Sequence, residues 1–356
     1  MSKVIFFCAS LQGGGAERVL SVLSNRLADH YDSVDYLMLY NAPIFYVIDE
    51  RVKVISIEEE TGSKNIVINM FWFRKYINKQ KPNLILSFSA PFNMLALSSL
   101  LWTKHKVVAC ERVDPKSFRW GKPLEFIRNL LYERADGILT QTQMSKDYFV
   151  GDLLKKTDII YNPIEMSKEY LGAALSINKQ NLIVTAARLV PQKRQDLLIC
   201  CFARFKKEHP DYKLTIFGTG PEKENLIRCA EANNVADAID FPGTVKDLWN
   251  RIKYAKMFVM TSLFEGMSNS MIEAMCLGLP IISTRVSGAV DLIKNQESGI
   301  LIDINDSEAL YRGMCKIADD EEFARKLGRN AMGVYGFLNV DSISNKWVDY
   351  IDSHIR

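Results

Sequence analysis

Two carboxylates stand eight positions apart in Glu265-Gly-Met-Ser-Asn-Ser-Met-Ile-Glu273, around a small polar turn. An apolar run, Met257 to Met260, leads through Thr261 and Ser262 into this stretch; Ala274-Met-Cys-Leu-Gly278 follows it, and Pro280 opens a second apolar run. That order spells strand, loop, helix N-terminus, glycine stop and strand. Glu265 then belongs to the loop beyond the strand, and Glu273 to the first turns of the helix. Ser268, Asn269 or Ser270 can cap that helix, leaving backbone N–H groups and the positive dipole end open to a ligand. Such an end takes an anion such as phosphate. Carboxylates beside it accept hydrogen bonds from a polyol. Hydroxyls on one side and phosphate on the other describe a nucleotide sugar.

A second constellation is Ala187-Arg188-Leu-Val-Pro-Gln-Lys193. Arg188 ends the apolar strand Leu182 to Ala186, and Lys193 comes just before an amphipathic helix carrying Leu197, Leu198, Phe202 and Phe205. Two cations at a strand-to-helix crossing neutralise a diphosphate and stabilise it as a leaving group without a metal. Arg194 reads as a surface charge. Near the start, Lys3 to Ser10 reads as a buried strand running into Leu11-Gln-Gly13-Gly14-Gly15-Ala-Glu17-Arg18, a glycine loop that opens a helix. Glycines there permit close approach of a ligand and tight strand–helix packing. A dinucleotide-binding loop competes for this stretch, helped by Asp35 about twenty residues on, but Arg18 stands where its last glycine is required.

At these residues the chain resembles the retaining glycosyltransferases of family 4, whose E-x7-E motif Glu265 and Glu273 match. The resemblance runs in order over nearly the whole chain. It includes Leu214 to Phe217 with Gly218-Thr-Gly220-Pro221, Asp240-Phe-Pro-Gly243-Thr-Val245, and Ser287-Gly288-Ala-Val-Asp291-Leu-Ile293. Asp291 is a departure, since Glu is commoner there. The resemblance implies an α/β GT-B fold, two Rossmann-like parallel-sheet domains facing across a cleft. It implies Glu265 on the donor sugar's hydroxyls, Glu273 on the ribose, and Arg188 with Lys193 on the diphosphate. Gly14 and Gly15 would lie close to the donor phosphates, Glu17 near the acceptor, and Gly243 beside the nucleobase. Gly266, Met267, Ser268, Asn269 and Ser270 would complete the donor site. Metal and other cofactors are expected to be absent.

Several further expectations follow from the resemblance. The donor is a nucleoside-diphosphate sugar, with UDP favoured, and the enzyme a hexosyl- or N-acetylhexosaminyl-transferase. Attack comes from the same face, so the product keeps the α configuration. The acceptor is a glycan on a polyprenyl-diphosphate carrier, in a surface-polysaccharide pathway such as O-antigen or capsule. Cys110-Glu111-Arg112-Val-Asp114-Pro115 follows the strand Val107 to Ala109. Related enzymes carry His where Arg112 stands, and a guanidinium cannot serve as a neutral acid or base. Arg112 is a candidate contact to donor or acceptor; Glu111 either orients the acceptor hydroxyl or pairs with Arg112. A nucleotide-sugar epimerase of the same fold and a non-catalytic nucleotide-sugar-binding protein are the rival readings.

The remaining sequence must position these groups. A chain of 356 residues exceeds one ordinary domain, and its 48% hydrophobic and 24% charged content is that of a globular protein. Alternating strand and helix patterns predict parallel sheets covered on both faces. We divide it into an acceptor domain over 1–165 and a donor domain over 166–339, with a last helix, about 340–356, packing back on the first. Tyr161 to Glu165 is the expected crossing point, and Met166 to Gln180 reads as a polar linker or loop. The seven cysteines lack a C-x-x-C pair and read as small core residues of a reduced cytoplasmic protein; the four histidines show no metal-ligand spacing, and no D-x-D triplet occurs. No apolar stretch reaches spanning length, and Val4 to Ala9 reads as a strand rather than a leader.

Charge is uneven although the net is only +3. From Phe71 to Arg134 twelve bases face four acids, a net of +8, with Phe71, Trp72, Phe73, Tyr76, Trp102, Phe118 and Trp120 interleaved. This stretch fits peripheral docking on an anionic membrane at its inner face, and equally fits solvated helix faces over an aromatic core. No nucleic-acid motif accompanies it.

Overall fold

Short runs rich in Val, Ile, Leu and Phe form strands here because both faces of each sheet are covered, so no polar alternation is needed. The computed structural model describes residues 2–12, 14–117 and 121–355. Seven strands make the first sheet: β1 (Lys3–Cys8), β2 (Ser33–Met38), β3 (Lys53–Ser56), β4 (Leu84–Phe88), β5 (Val107–Cys110), β6 (Gly137–Thr140) and β7 (Thr157–Ile159). Six make the second: β8 (Leu182–Ala186), β9 (Lys213–Phe217), β10 (Ile239–Gly243), β11 (Met257–Met260), β12 (Ile281–Thr284) and β13 (Ile300–Ile302). Their orders are β3-β2-β1-β4-β5-β6-β7 and β10-β9-β8-β11-β12-β13, and every pairing is parallel. Both sheets reverse their order once, between β1 and β4 and between β8 and β11. Beyond the carboxyl ends of strands flanking such a reversal, open parallel sheets take their ligands.

The chain divides into two compact units. One runs to Glu165 and resumes at Leu338; the other is Met166–Phe337. The helix Val340–Ile355 completes the first unit, within the span expected from the sequence. It buries Trp347 fully, with its ring 6.2 Å from that of Phe88. Tyr31 donates a hydrogen bond to Asp352 over 3.0 Å, and Lys106 to the His354 carbonyl. An isolated parallel bridge between Ile164 and Asn339 fastens the return.

Three expectations need correction. Met166 to Gln180 is no free linker: Ala174 is buried, and the Gly172 N–H bonds the Cys276 carbonyl at 2.9 Å, so the segment packs on the second unit. Cys200 is exposed on the helix Gln195–Phe205, 4.0 Å from the Cys229 sulfur, so the cysteines are not all core residues. The basic stretch is also mixed in placement: Arg128 is fully buried while Phe71 and Trp102 are exposed. Among the described residues no helix is long and apolar enough to cross a membrane.

Candidate functional site

In the second unit, the chain leaving β8 is seated by two glycines of the loop after β9. The Ala187 N–H bonds the Phe217 carbonyl and the Leu189 N–H that of Thr219, at 3.0 and 2.9 Å. A β-carbon on Gly218 would stand 1.9 Å from the Ala187 carbonyl oxygen, and one on Gly220 2.2 Å from that of Leu189. Only glycine lets these backbones meet. Between the two seated residues Arg188 points out, exposed. Gly243, at the end of β10 with φ +77°, accepts the Gly218 N–H at 2.9 Å and so joins the same edge.

Beyond Arg188 the chain makes a 3-10 turn, Pro191–Lys193, and Arg194 adopts a left-handed conformation with φ +49°. This loop is laced to the loop after β11. Thr261 Oγ1 donates to the Lys193 and Arg194 carbonyls at 2.8 and 2.9 Å; Gln192 Nε2 reaches the Phe264 carbonyl at 2.6 Å; and the Leu263 N–H bonds the Gln192 carbonyl at 2.8 Å. Across the lacing, Lys193 Nζ and Glu265 Oε1 form an ion pair whose side chains are only 13% and 11% exposed. Ser262 Oγ donates to the same Glu265 oxygen at 2.7 Å. Arg194 is more than a surface charge: it starts the next helix and bonds Asp196 at 3.0 Å and Asn305.

The helix predicted after Glu265 spans Asn269–Leu277, and of the three candidate caps Ser268 takes the role, its oxygen accepting the Met271 N–H at 3.4 Å. Ser270 Oγ instead donates to the Ala186 carbonyl at 2.6 Å, pinning the helix start to the end of β8. Asn269 opens the helix, partly exposed. Met271 to Leu277 are all buried, Glu273 among them at 2% exposure. Gly266 and Met267 are buried too, held by the Gly288 N–H on the Gly266 carbonyl at 2.9 Å. Thus Arg188 and Lys193 after β8, and Glu265 with the Ser268-capped helix after β11, occupy the carboxyl ends of the two strands at the order reversal. The arrangement offers cations and helix amides to an anion, and an oriented carboxylate to hydroxyl groups. Thr261, Ser262 and Gln192 hold this geometry; their signal is a pair of hydroxyl residues directly after a buried strand, to which sequence reading assigned no task.

In the first unit, Gly13 lies outside the described residues. Gly14 precedes the helix Gly15–Leu27 in an extended conformation and accepts the Tyr46 hydroxyl at 2.9 Å. Glu17, in the first turn, folds back so closely that a β-carbon on Gly14 would collide with its carboxylate. Glu111 and Arg112 follow β5, both buried, at 1% and 7% exposure. They do not pair. Arg112 Nη2 donates to Asn162 Oδ1 at 2.9 Å, and its guanidinium sits 5.9 Å from the Phe88 ring centre; burial lowers its pKa to about 10, opposed by Cys110 and Glu17. Glu111 Oε1 accepts the Tyr132 hydroxyl at 2.5 Å, and that oxygen in turn accepts from Asn93 Nδ2 at 2.9 Å. Among the described residues, the second Glu111 oxygen has no hydrogen-bond partner. Burial pushes the Glu111 carboxyl up to about 7, with the Tyr132 bond and the Arg128 charge acting against it.

Comparison with known proteins adds four likenesses. Residues 167–333 match the family described as glycosyl transferases group 1. The chain is 26% identical, over 99% of its length and 98% of the relative's, to the GalNAc-alpha-(1->4)-GalNAc-alpha-(1->3)-diNAcBac-PP-undecaprenol alpha-1,4-N-acetyl-D-galactosaminyltransferase of Campylobacter jejuni. It is 28% identical, over 93% of each chain, to the N-acetylgalactosamine-N,N'-diacetylbacillosaminyl-diphospho-undecaprenol 4-alpha-N-acetylgalactosaminyltransferase of the same organism. The crystal structure of Anabaena HepE in complex with UDP and glucose matches with a TM-score of 0.82 at 18% identity, over 99% of this chain and 100% of that one. The fold is GT-B, two parallel-sheet α/β domains of seven and six strands.

Proposed function

We propose that this chain, a glycosyltransferase of the group 1 family as its matches support, moves a sugar with retention from a nucleoside-diphosphate sugar to a glycan on a polyprenyl-diphosphate carrier. The observation that carries this reading is the Lys193–Glu265 pair between the β8 and β11 loops, beside exposed Arg188 and the Ser268-capped helix. Arg188, Lys193 and the amides at Ser268, Asn269 and Ser270 take the donor diphosphate. Glu265, held by Ser262, accepts hydrogen bonds from the sugar hydroxyls, and Glu273 from the ribose. As the glycosidic bond breaks, negative charge collects on the leaving phosphate, where the two cations and the helix end stabilise it. The acceptor hydroxyl attacks from that same face and gives its proton to the leaving phosphate, so no side-chain base and no metal is called upon.

UDP is the favoured nucleotide, supported by the UDP bound to Anabaena HepE. An N-acetylhexosamine donor and an undecaprenyl-diphosphate-linked acceptor are supported by the names of the two Campylobacter relatives. The enzyme then works from the cytoplasm in surface-polysaccharide assembly. The test is the melting temperature with UDP, GDP, ADP or NAD, each without metal, since a ligand of the folded state raises it. A rise with UDP or GDP alone is expected; a rise with NAD alone overturns the reading. With the donor sugar identified, NMR of the product must show an α linkage. A β linkage removes retention, and an epimerised free donor sugar in the absence of acceptor turns the assignment to an epimerase.

A further inference from the structure

Lys179, Lys256 and Pro280, shortly ahead of β8, β11 and β12, line a cavity of about 310 Å³ within the second unit. Those strands are neighbours. The cavity therefore lies at their amino ends, whereas Arg188 and Glu265 leave the carboxyl ends of β8 and β11. Its apolar wall is Leu175, Ile177 and Pro280, with Ile317 and Ala324 from two helices of the same unit. A glycine shapes that wall. The helix Asn269–Leu277 ends at Gly278, where a β-carbon would stand 2.8 Å from the Leu175 γ-carbon. Bare backbone there lets the turn Ala173–Leu175 settle on the helix end.

Two ammonium groups share this small space. Lys179 is half-buried and spends one N–H on the Lys253 carbonyl, at 3.2 Å. Burial pushes its pKa down to about 7, and the Lys256 charge pushes the same way. Among the described residues no carboxylate opposes that shift, and Lys256 has no ion pair or side-chain hydrogen bond. Glu321 is the only acid among the described residues lining the cavity, and Arg325 engages it at 2.7 Å. Like charges held together repel. An anion between them turns that repulsion into two charge-assisted hydrogen bonds.

We propose that this cavity is a second ligand site, which takes a phosphomonoester of a small carbon skeleton. The phosphate lies between Lys179 and Lys256, and the skeleton covers Ile177, Pro280 and Ile317. A phosphomonoester carries close to two negative charges at neutral pH, which matches two lysines where a carboxylate matches one. The inference rests on the cavity alone and is independent of the transfer chemistry.

The test is isothermal titration calorimetry of the full chain near pH 6.5 with phenyl phosphate, inorganic phosphate and benzoate. Phenyl phosphate should bind more tightly than either of the others. Lys179→Gln and Lys256→Gln should each weaken it about tenfold or more, the usual loss of a hydrogen bond to a charged group, and Lys256→Arg should restore it. Lys256→Gln removes a repelling charge, so its melting temperature should not fall below that of wild type. Ala324→Glu brings a like charge to the phosphate from another element and should weaken binding independently. Arg188→Ala should bind phenyl phosphate as wild type does. Absence of binding would overturn the proposal, as would inorganic phosphate bound equally well, an adventitious ion only. So would binding that Arg188→Ala abolishes and the two lysine variants keep, which would assign the ester to the donor site. A chain that ignores UDP yet shows the expected lysine dependence would fault the transfer reading, not the cavity.

Discussion

Lys193 and Glu265, 72 positions apart in sequence, share an ion pair that bridges the loops after β8 and β11, and Ser262 holds the same carboxylate oxygen. Each partner neutralises the other in a place little exposed to water. A donor diphosphate can draw the lysine to itself while the serine keeps Glu265 aimed for a hydroxyl. Under the proposed function, the pair is a resting state whose two halves take separate tasks in transfer.

Replacing Lys193 with Ala should lower kcat by about 10²–10³-fold or more, the usual loss when one stabiliser of developing charge is removed. It also leaves Glu265 uncompensated, so the melting temperature should fall, and adding Glu265→Gln should recover part of it. Turnover by Lys193→Ala equal to wild type would exclude the leaving-group role.

Arg188 separates chemistry from stability more cleanly, because its side chain is exposed. Arg188→Ala should change unfolding free energy by no more than about 0.5 kcal/mol. Transfer should drop steeply. Denaturant melts and initial rates on the same preparation check both halves.

Gly288 lies where a β-carbon would be 2.5 Å from the Gly266 carbonyl oxygen and 2.9 Å from the Met267 Cα. Both are backbone atoms, so the loop carrying Glu265 must shift. Gly288→Ala should cost about 1–3 kcal/mol of stability and weaken nucleotide-induced stabilisation. A variant that melts and binds UDP like wild type would show that the loop yields freely.

Glu111 supplies a pH dependence. Its folded pKa, about 7, is raised from 4.5, so the folded state holds a proton that the unfolded chain has lost. Its favourable contribution is complete below about pH 4.5 and disappears as pH rises through 7. Glu111→Gln keeps an oxygen for the Tyr132 hydroxyl but cannot ionise. Relative to wild type, this variant should gain melting temperature between pH 5 and 8. A constant difference across that range would show that Glu111 does not titrate there.

The strand, loop, helix and glycine stop around Glu265 were legible because each is punctuated locally: Ser268 caps, and Gly278 takes a left-handed φ of +83°. Apolar runs likewise marked β8 and β11 closely. What escaped reading depends on neighbours distant in sequence. Nothing near Arg128 announces that Tyr148 and Phe149 will enclose it, and the pattern of its helix, Lys122–Glu133, therefore reads inside out. Gln192 and Ser262 are unremarkable until β8 and β11 lie side by side. The Glu111–Arg112 adjacency suggested a pair, but consecutive residues leaving a strand point opposite ways, and each found another partner.

The return of the chain at Leu338 sets an order of assembly. The second unit is one unbroken stretch, Met166–Phe337, and every strand of its sheet is available before the last helix is synthesised. The first unit, although begun earlier on the ribosome, lacks Trp347 and the helix that carries it until the end. Domains fold as units during synthesis. The half made first is therefore the half finished last, and until then the sheet face around Phe88 waits uncovered.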